Sequence, residues 1–72
     1  MHPVNLLSRR ERAVLAHLAN GSATEEIAQI LFVSPHTIRS HVKTAMRKLD
    51  ARTRAHAVAI ALGGGAIEPP AI

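Results

Sequence analysis

The chain has no cysteine, tryptophan or tyrosine, and Phe32 is its one aromatic residue. Without cysteine, neither a disulfide framework nor a thiolate metal site can staple the fold. Any core must be built from Leu, Ile, Val and Ala, a composition that favours helices over strands. Long apolar runs are missing too. The longest, residues 55–65, is interrupted by His56 and closes in three glycines, well short of the roughly 20 residues that span a bilayer. The opening Met1-His2-Pro3-Val4-Asn5 lacks the charged and apolar segments of a secretory signal, and with the missing cysteine this sets the expectation of a cytoplasmic chain. At 72 residues there is room for one small domain and none for a second.

What the chain does have is unevenly spread positive charge. Nine Lys and Arg stand against five Asp and Glu, for a net +4. Residues 34–54 hold Arg39, Lys43, Arg47, Lys48, Arg52 and Arg54 against Asp50 alone, so this stretch carries the whole excess. A field concentrated in this way suits an anionic polymer or surface.

Helix signals divide the chain into four segments. Ser8 and Glu11 form an S-x-x-E capping pattern, Val14, Leu15, Leu18 and Ala19 follow at helical spacing, and Asn20-Gly21 supplies a left-handed stop. The first helix is therefore expected at about 9–19. Glu25 and Glu26 sit in the first turn of a second, at about 24–31, whose apolar side is Ile27, Ala28 and Leu31 and whose cap is either Ser22 or Thr24. Ser34-Pro35 opens the third, at about 35–49, since proline in first position gives up only an amide with no partner. A fourth is expected at about 53–62, ended by Gly63-Gly64-Gly65, with 1–6 an N-terminal arm and 63–72 a flexible tail.

The third helix carries the functional argument. At about 100° per residue, Ile38, Val42, Ala45 and Leu49 fall within about 60° of one another and form a narrow apolar stripe. His36, Arg39, Ser40, Lys43 and Arg47 face the other way, and that face contains no acid. A solvated helix usually mixes signs at i,i+4, whereas the 39/43/47 series repeats like charges that repel by a few tenths of a kcal/mol each. Something anionic should compensate. A short helix, a turn through Phe32 to Ser34 and a longer helix with a basic outer face make a helix-turn-helix, whose second helix enters the DNA major groove. Arg39 and Lys43 are suited to reading base edges there.

These residues also carry a family resemblance. Leu7-Ser8-x-Arg10-Glu11, Val14-Leu15, Leu18-Ala19-x-Gly21, Glu26-Ile27-Ala28, Leu31, Val33-Ser34-x-x-Thr37-Ile38-Arg39-x-His41, Lys48-Leu49, Arg54 and Ala57-Val58 resemble the signature of LuxR-type (GerE- or FixJ-type) DNA-binding domains, without a gap from about Leu6 to Leu62. The resemblance implies an all-α domain of four helices spanning 7–62, acting in transcription regulation with double-stranded DNA as partner. By position it implies base contacts from Arg39, Ser40, Lys43 and His36, and phosphate contacts from Thr24, Thr37 and Arg47. Three positions depart from the pattern: Ala23 replaces a capping Ser, Ala45 a large aliphatic residue and Asp50 a Gly. They imply an uncertain cap on the second helix, a thinner core, and an Asp asked to adopt a left-handed conformation that it tolerates better than most residues.

Other chemistry finds little support. His36 and His41 lie roughly 140° apart on the wheel with no cysteine or nearby carboxylate to complete a metal site, so neither metal nor cofactor is expected. Ser40-His41 has no acid to orient the imidazole, and no catalysis is expected of it. The triple glycine follows a helix instead of preceding one and lacks Lys-Ser/Thr, so it is no phosphate loop.

The fourth helix commonly mediates dimerisation in domains of this type. Here Val58, Ala61 and Leu62 are expected to face the core, while Ile60 falls outside that stripe beside His56, at about 200° and 160° on the same wheel. Small residues nearby allow a second copy to approach, so His56, Ala59 and Ile60 are expected to form a weak homodimer contact on paired half-sites. The reading from another class is a protein-interaction module whose basic face takes an acidic protein. A sigma-like segment docking on RNA polymerase is opposed by the signature, although contact with the polymerase stays open.

Overall fold

The computed structural model describes residues 2–69. Four α-helices, α1 (Arg9–Ala19), α2 (Thr24–Leu31), α3 (Pro35–Leu49) and α4 (Arg54–Gly63), follow a short 3-10 turn over Pro3–Leu6. Among the described residues there is no strand, as the aliphatic composition leads one to expect. The 3-10 turn went unread in the sequence, where 1–6 looked like an arm. It exists because Val4 and Leu7 are buried beneath it and Arg12 donates from Nη2 to the Val4 carbonyl at 3.3 Å.

The capping chemistry explains most of the boundaries. Ser8 Oγ accepts from the Glu11 amide at 3.1 Å while the Glu11 carboxylate accepts from the Ser8 amide at 2.8 Å, a complete reciprocal box. On α2 neither Ser22 nor Thr24 caps. Ala23 occupies the cap position and has no side-chain acceptor, so only the returning half survives, with Glu26 accepting from the Ala23 amide at 2.9 Å. Ser34 caps α3 through the Thr37 amide at 3.1 Å. Thr53 lies just outside α4 as its cap, accepting from the His56 amide at 3.0 Å, which moves the helix one residue along from the expected 53–62.

All four helices end in the same way, with an amide reaching back five residues: Ser22 to His17 at 3.0 Å, Val33 to Ala28 at 3.0 Å, Ala51 to Met46 at 2.8 Å and Ala66 to Ala61 at 2.9 Å. Each needs a left-handed residue at the bend. Gly21 fills that place after α1, but Phe32 (φ 58°) and Asp50 (φ 54°) do so after α2 and α3. Asp50 was expected there and Phe32 was not.

The core falls into two clusters threaded by α3. Ile38 and Val42 pack with Val14, Ile27 and Ala28. Ala45 and Leu49 pack with Val4, Leu7, Leu15, Ala57, Ala61 and Ile67. Leu18 and Met46 touch both. Ile67 corrects the expectation of a flexible tail over 63–72: the Ala66 amide bonds the Ala61 carbonyl at 2.9 Å, the chain turns back at Gly65 (φ 77°), and Ile67 is buried against the helices. Residues 70–72 of that expected tail lie outside the described residues. Gly64 lies against the opposite end of the chain, where an added Cβ would come within 2.6 Å of His2 Cε1 and 2.7 Å of Val4 Cγ1.

Candidate nucleic-acid interface

The geometry of α3 follows from its stripe. Burial of Ile38, Val42, Ala45 and Leu49 fixes the helix rotation, and the opposite face is then forced outward. His36, Arg39, Ser40, Lys43 and Arg47 are all exposed, Thr37 is half-buried beside the cap, and Thr24 is half-buried at the start of α2. The Thr37 hydroxyl lies 3.0 Å from that of Ser34.

His36, Arg39, Ser40 and Lys43, the four residues expected to read bases, share one open groove of about 310 Å³ with Val42, Met46 and Arg54. Arg47 and Thr37 do not line it. Arg54 is the residue that sequence reasoning left without a role. Its Nη1 donates to Thr24 Oγ1 at 3.4 Å, joining the starts of α2 and α4. The charge stretch over 34–54 held the signal, but nothing in the helical wheel of α3 points to a side chain arriving from α4.

Lys48 belongs elsewhere. It forms an ion pair with Glu11 at 2.8 Å, so one cation of the basic stretch is neutralised inside the fold. Burial acts to raise the Glu11 carboxyl; the hydrogen bond from Lys48, the Ser8 amide, the Lys48 charge and the Ser8 hydroxyl outweigh it, and the group titrates below its ordinary range. Among the described residues this is the only ion pair. Arg39, Lys43, Arg47 and Arg54 therefore present uncompensated charge on one side of the molecule, where an anion meets them without first breaking a salt bridge.

On α4 the expected contact residues differ among themselves. His56 and Ala59 are exposed, but Ile60 is half-buried and packs against the cluster that holds Ala45, Leu49, Ala57 and Ala61. This corrects the expectation that Ile60 falls wholly outside the core-facing stripe. The fully buried residues of α4 are Ala57 and Ala61, with Val58 and Leu62 half-buried, so the core stripe is centred one residue earlier than the wheel placed it. The His56 ring also serves its own helix, since Nδ1 accepts from the Arg52 amide at 3.1 Å.

No helix among the described residues is long and apolar enough to cross a membrane, and no three His, Asp or Glu side chains gather there as metal ligands would.

Comparison with known proteins matches residues 5–61 to the family model described as bacterial regulatory proteins, luxR family. The chain is 43% identical over 63 residues to the spore germination protein GerE of Bacillus subtilis, covering 88% of this chain and 85% of that one. It is 40% identical over 68 residues to the transcriptional activator protein BjaR1 of Bradyrhizobium diazoefficiens, but spans only 28% of that relative's length. The transcriptional regulatory protein FixJ of Rhizobium meliloti is 41% identical over 59 residues, with 29% of its length covered. The solved structure of the transcription factor GerE superposes with a TM-score of 0.85 at 30% identity, over 88% of this chain and 94% of that one. The capped four-helix frame, the unpaired basic face and these matches agree: the chain belongs to the luxR family of bacterial regulatory proteins and is a DNA-binding transcription regulator.

Proposed function

We propose that α3 enters the major groove of duplex DNA and reads base edges with Arg39, Ser40, Lys43 and His36, while Thr24, Thr37 and Arg47 hold flanking phosphates. The observation that carries this reading is the outer face of α3, exposed along its length and bearing Arg39, Lys43 and Arg47 with no carboxylate in ion-pair range among the described residues. Arg and Lys near the start of a groove-bound helix match guanine O6 and N7, and a cation further along meets the backbone. The protein acts in the cytoplasm, where bacterial DNA lies, and needs no cofactor or catalytic step for this role.

A domain of this size covers one half-site, so two copies on adjacent half-sites would add their contacts. We assign the contact between copies to α4, through His56 and Ala59 at its surface and Ile60 at its edge. Selection of bound sequences from random duplex DNA tests the whole reading. Enrichment of a short motif, paired in a two-fold arrangement, is the expected result. Recovery of unenriched sequences, with equal retention on an acidic polypeptide, would instead favour the protein-interaction reading.

A further inference from the structure

We propose that Thr24 and Arg54 hold one DNA backbone phosphate between them, as a two-residue clamp beside the recognition helix, with Arg54 the residue that supplies the charge. The inference rests on the reading of α3 as the groove-entering helix and adds a contact from α4.

Three observations carry it. Arg54 is exposed and lines the same groove as His36, Arg39, Ser40 and Lys43, so a duplex seated on those residues meets its guanidinium. Its Nη1 spends one hydrogen on Thr24 Oγ1 at 3.4 Å, which aims the planar head without neutralising it, because no carboxylate pairs with it among the described residues. Finally, a threonine hydroxyl that accepts from Arg54 still has its own proton to donate, and the guanidinium has four further N–H groups. An arginine held in this way loses less side-chain freedom when it meets a phosphate than a free one would, and its fork suits the bidentate geometry of that anion.

The alternative is a strut: Arg54 simply ties α4 to α2. The two roles differ in what they move. A strut changes thermal stability and leaves the salt dependence of DNA binding alone. A clamp changes the slope of log K against log salt, and does so equally on specific and random sequence.

The test is a double-mutant cycle on duplex affinity measured across a salt series, with Arg54→Gln, Thr24→Val and their combination, and with Arg39→Ala as a separate control on the reading of α3. We expect Arg54→Gln to weaken specific and random duplexes alike by roughly tenfold and to lower the magnitude of the salt slope by about one. Thr24→Val should weaken binding less, and the double variant should bind no more weakly than Arg54→Gln alone, since both groups serve one phosphate. Arg54→Lys should restore the slope but only part of the affinity. An unchanged slope in Arg54→Gln, or losses that simply add in the double variant, would overturn the clamp while leaving the reading of α3 intact if Arg39→Ala still relaxes preference at one base pair. Unchanged preference in Arg39→Ala would overturn the underlying reading itself. Melting curves of each variant separate a lost contact from a lost fold.

Discussion

Lys48 Nζ sits 2.8 Å from Glu11 Oε1, across 37 residues of sequence, and the same carboxylate accepts the Ser8 amide at 2.8 Å. One buried side chain therefore closes the start of α1 and fastens α1 to the end of α3. Its carboxyl is held below the ordinary value of 4.5. A depressed carboxyl contributes stability that is fully present above its unfolded value and is lost as pH falls through the folded one. Glu11→Gln keeps a cap acceptor and removes the charge, so it should cost about 1 to 2 kcal/mol at neutral pH. Urea unfolding at pH 6 and pH 3 checks this. The gap between variant and parent should shrink on acidification, and a gap independent of pH would show that the pair is energetically idle.

Arg39→Ala should cost about 1 to 3 kcal/mol on the selected site and relax preference at one base pair, because a bidentate contact in the groove discriminates by that amount. Titration against the selected duplex and a scrambled one measures it. Equal losses on both would remove Arg39 from base reading.

Arg47 lies two turns beyond Arg39, and its removal should act through charge alone. Arg47→Ala should weaken every sequence similarly and reduce the salt slope by about one. A slope identical to the parent's would leave Arg47 off the DNA.

Phe32 holds φ 58° while 94% exposed. The left-handed region costs a bulky L-residue on the order of 1 kcal/mol, and so exposed a ring recovers little by burial. Phe32→Gly should therefore raise the melting temperature or leave it level, despite deleting the sole aromatic residue. A clear drop would mean that the ring is packed in solution.

The proposed dimer contact is best probed at Ala59, because Ile60 is partly committed to the core. Ala59→Glu should leave monomer melting nearly unchanged and abolish cooperative occupancy of a duplex with two half-sites. Cooperativity retained in that variant would move the contact off α4. Ile60→Glu, by contrast, should lower monomer stability as well.

Much of this architecture was legible in the chain because it is local. Ser8, Ser34, Pro35 and the apolar periods at 14–19 and 38–49 each declare a helix within one or two turns, and the boundaries of α1 and α3 follow from them. The outward face of α3 was equally readable, since fixing Ile38 and Val42 inward leaves Arg39 and Lys43 no other direction. What escaped depends on distant partners. Ile67 is buried because α4 delivers it back to the core, Lys48 is spent on a glutamate 37 positions away, and Arg54 reaches Thr24 across 30. Phe32 escaped for another reason, in that no rule of composition assigns an aromatic residue to a left-handed bend.

The division of the core gives α3 the mechanics of a shaft running in two bearings. Its first half turns against Val14, Ile27 and Ala28, and its second half against Leu15, Ala57 and Ala61. The bearing nearer α4 also grips both ends of the described chain, through Val4 and Ile67. The ends of the described chain are thus anchored at the bearing that lies beyond Arg39 and Lys43. The proposed base-reading face on the first half of α3 and the proposed contact on α4 therefore rest on separate parts of the core.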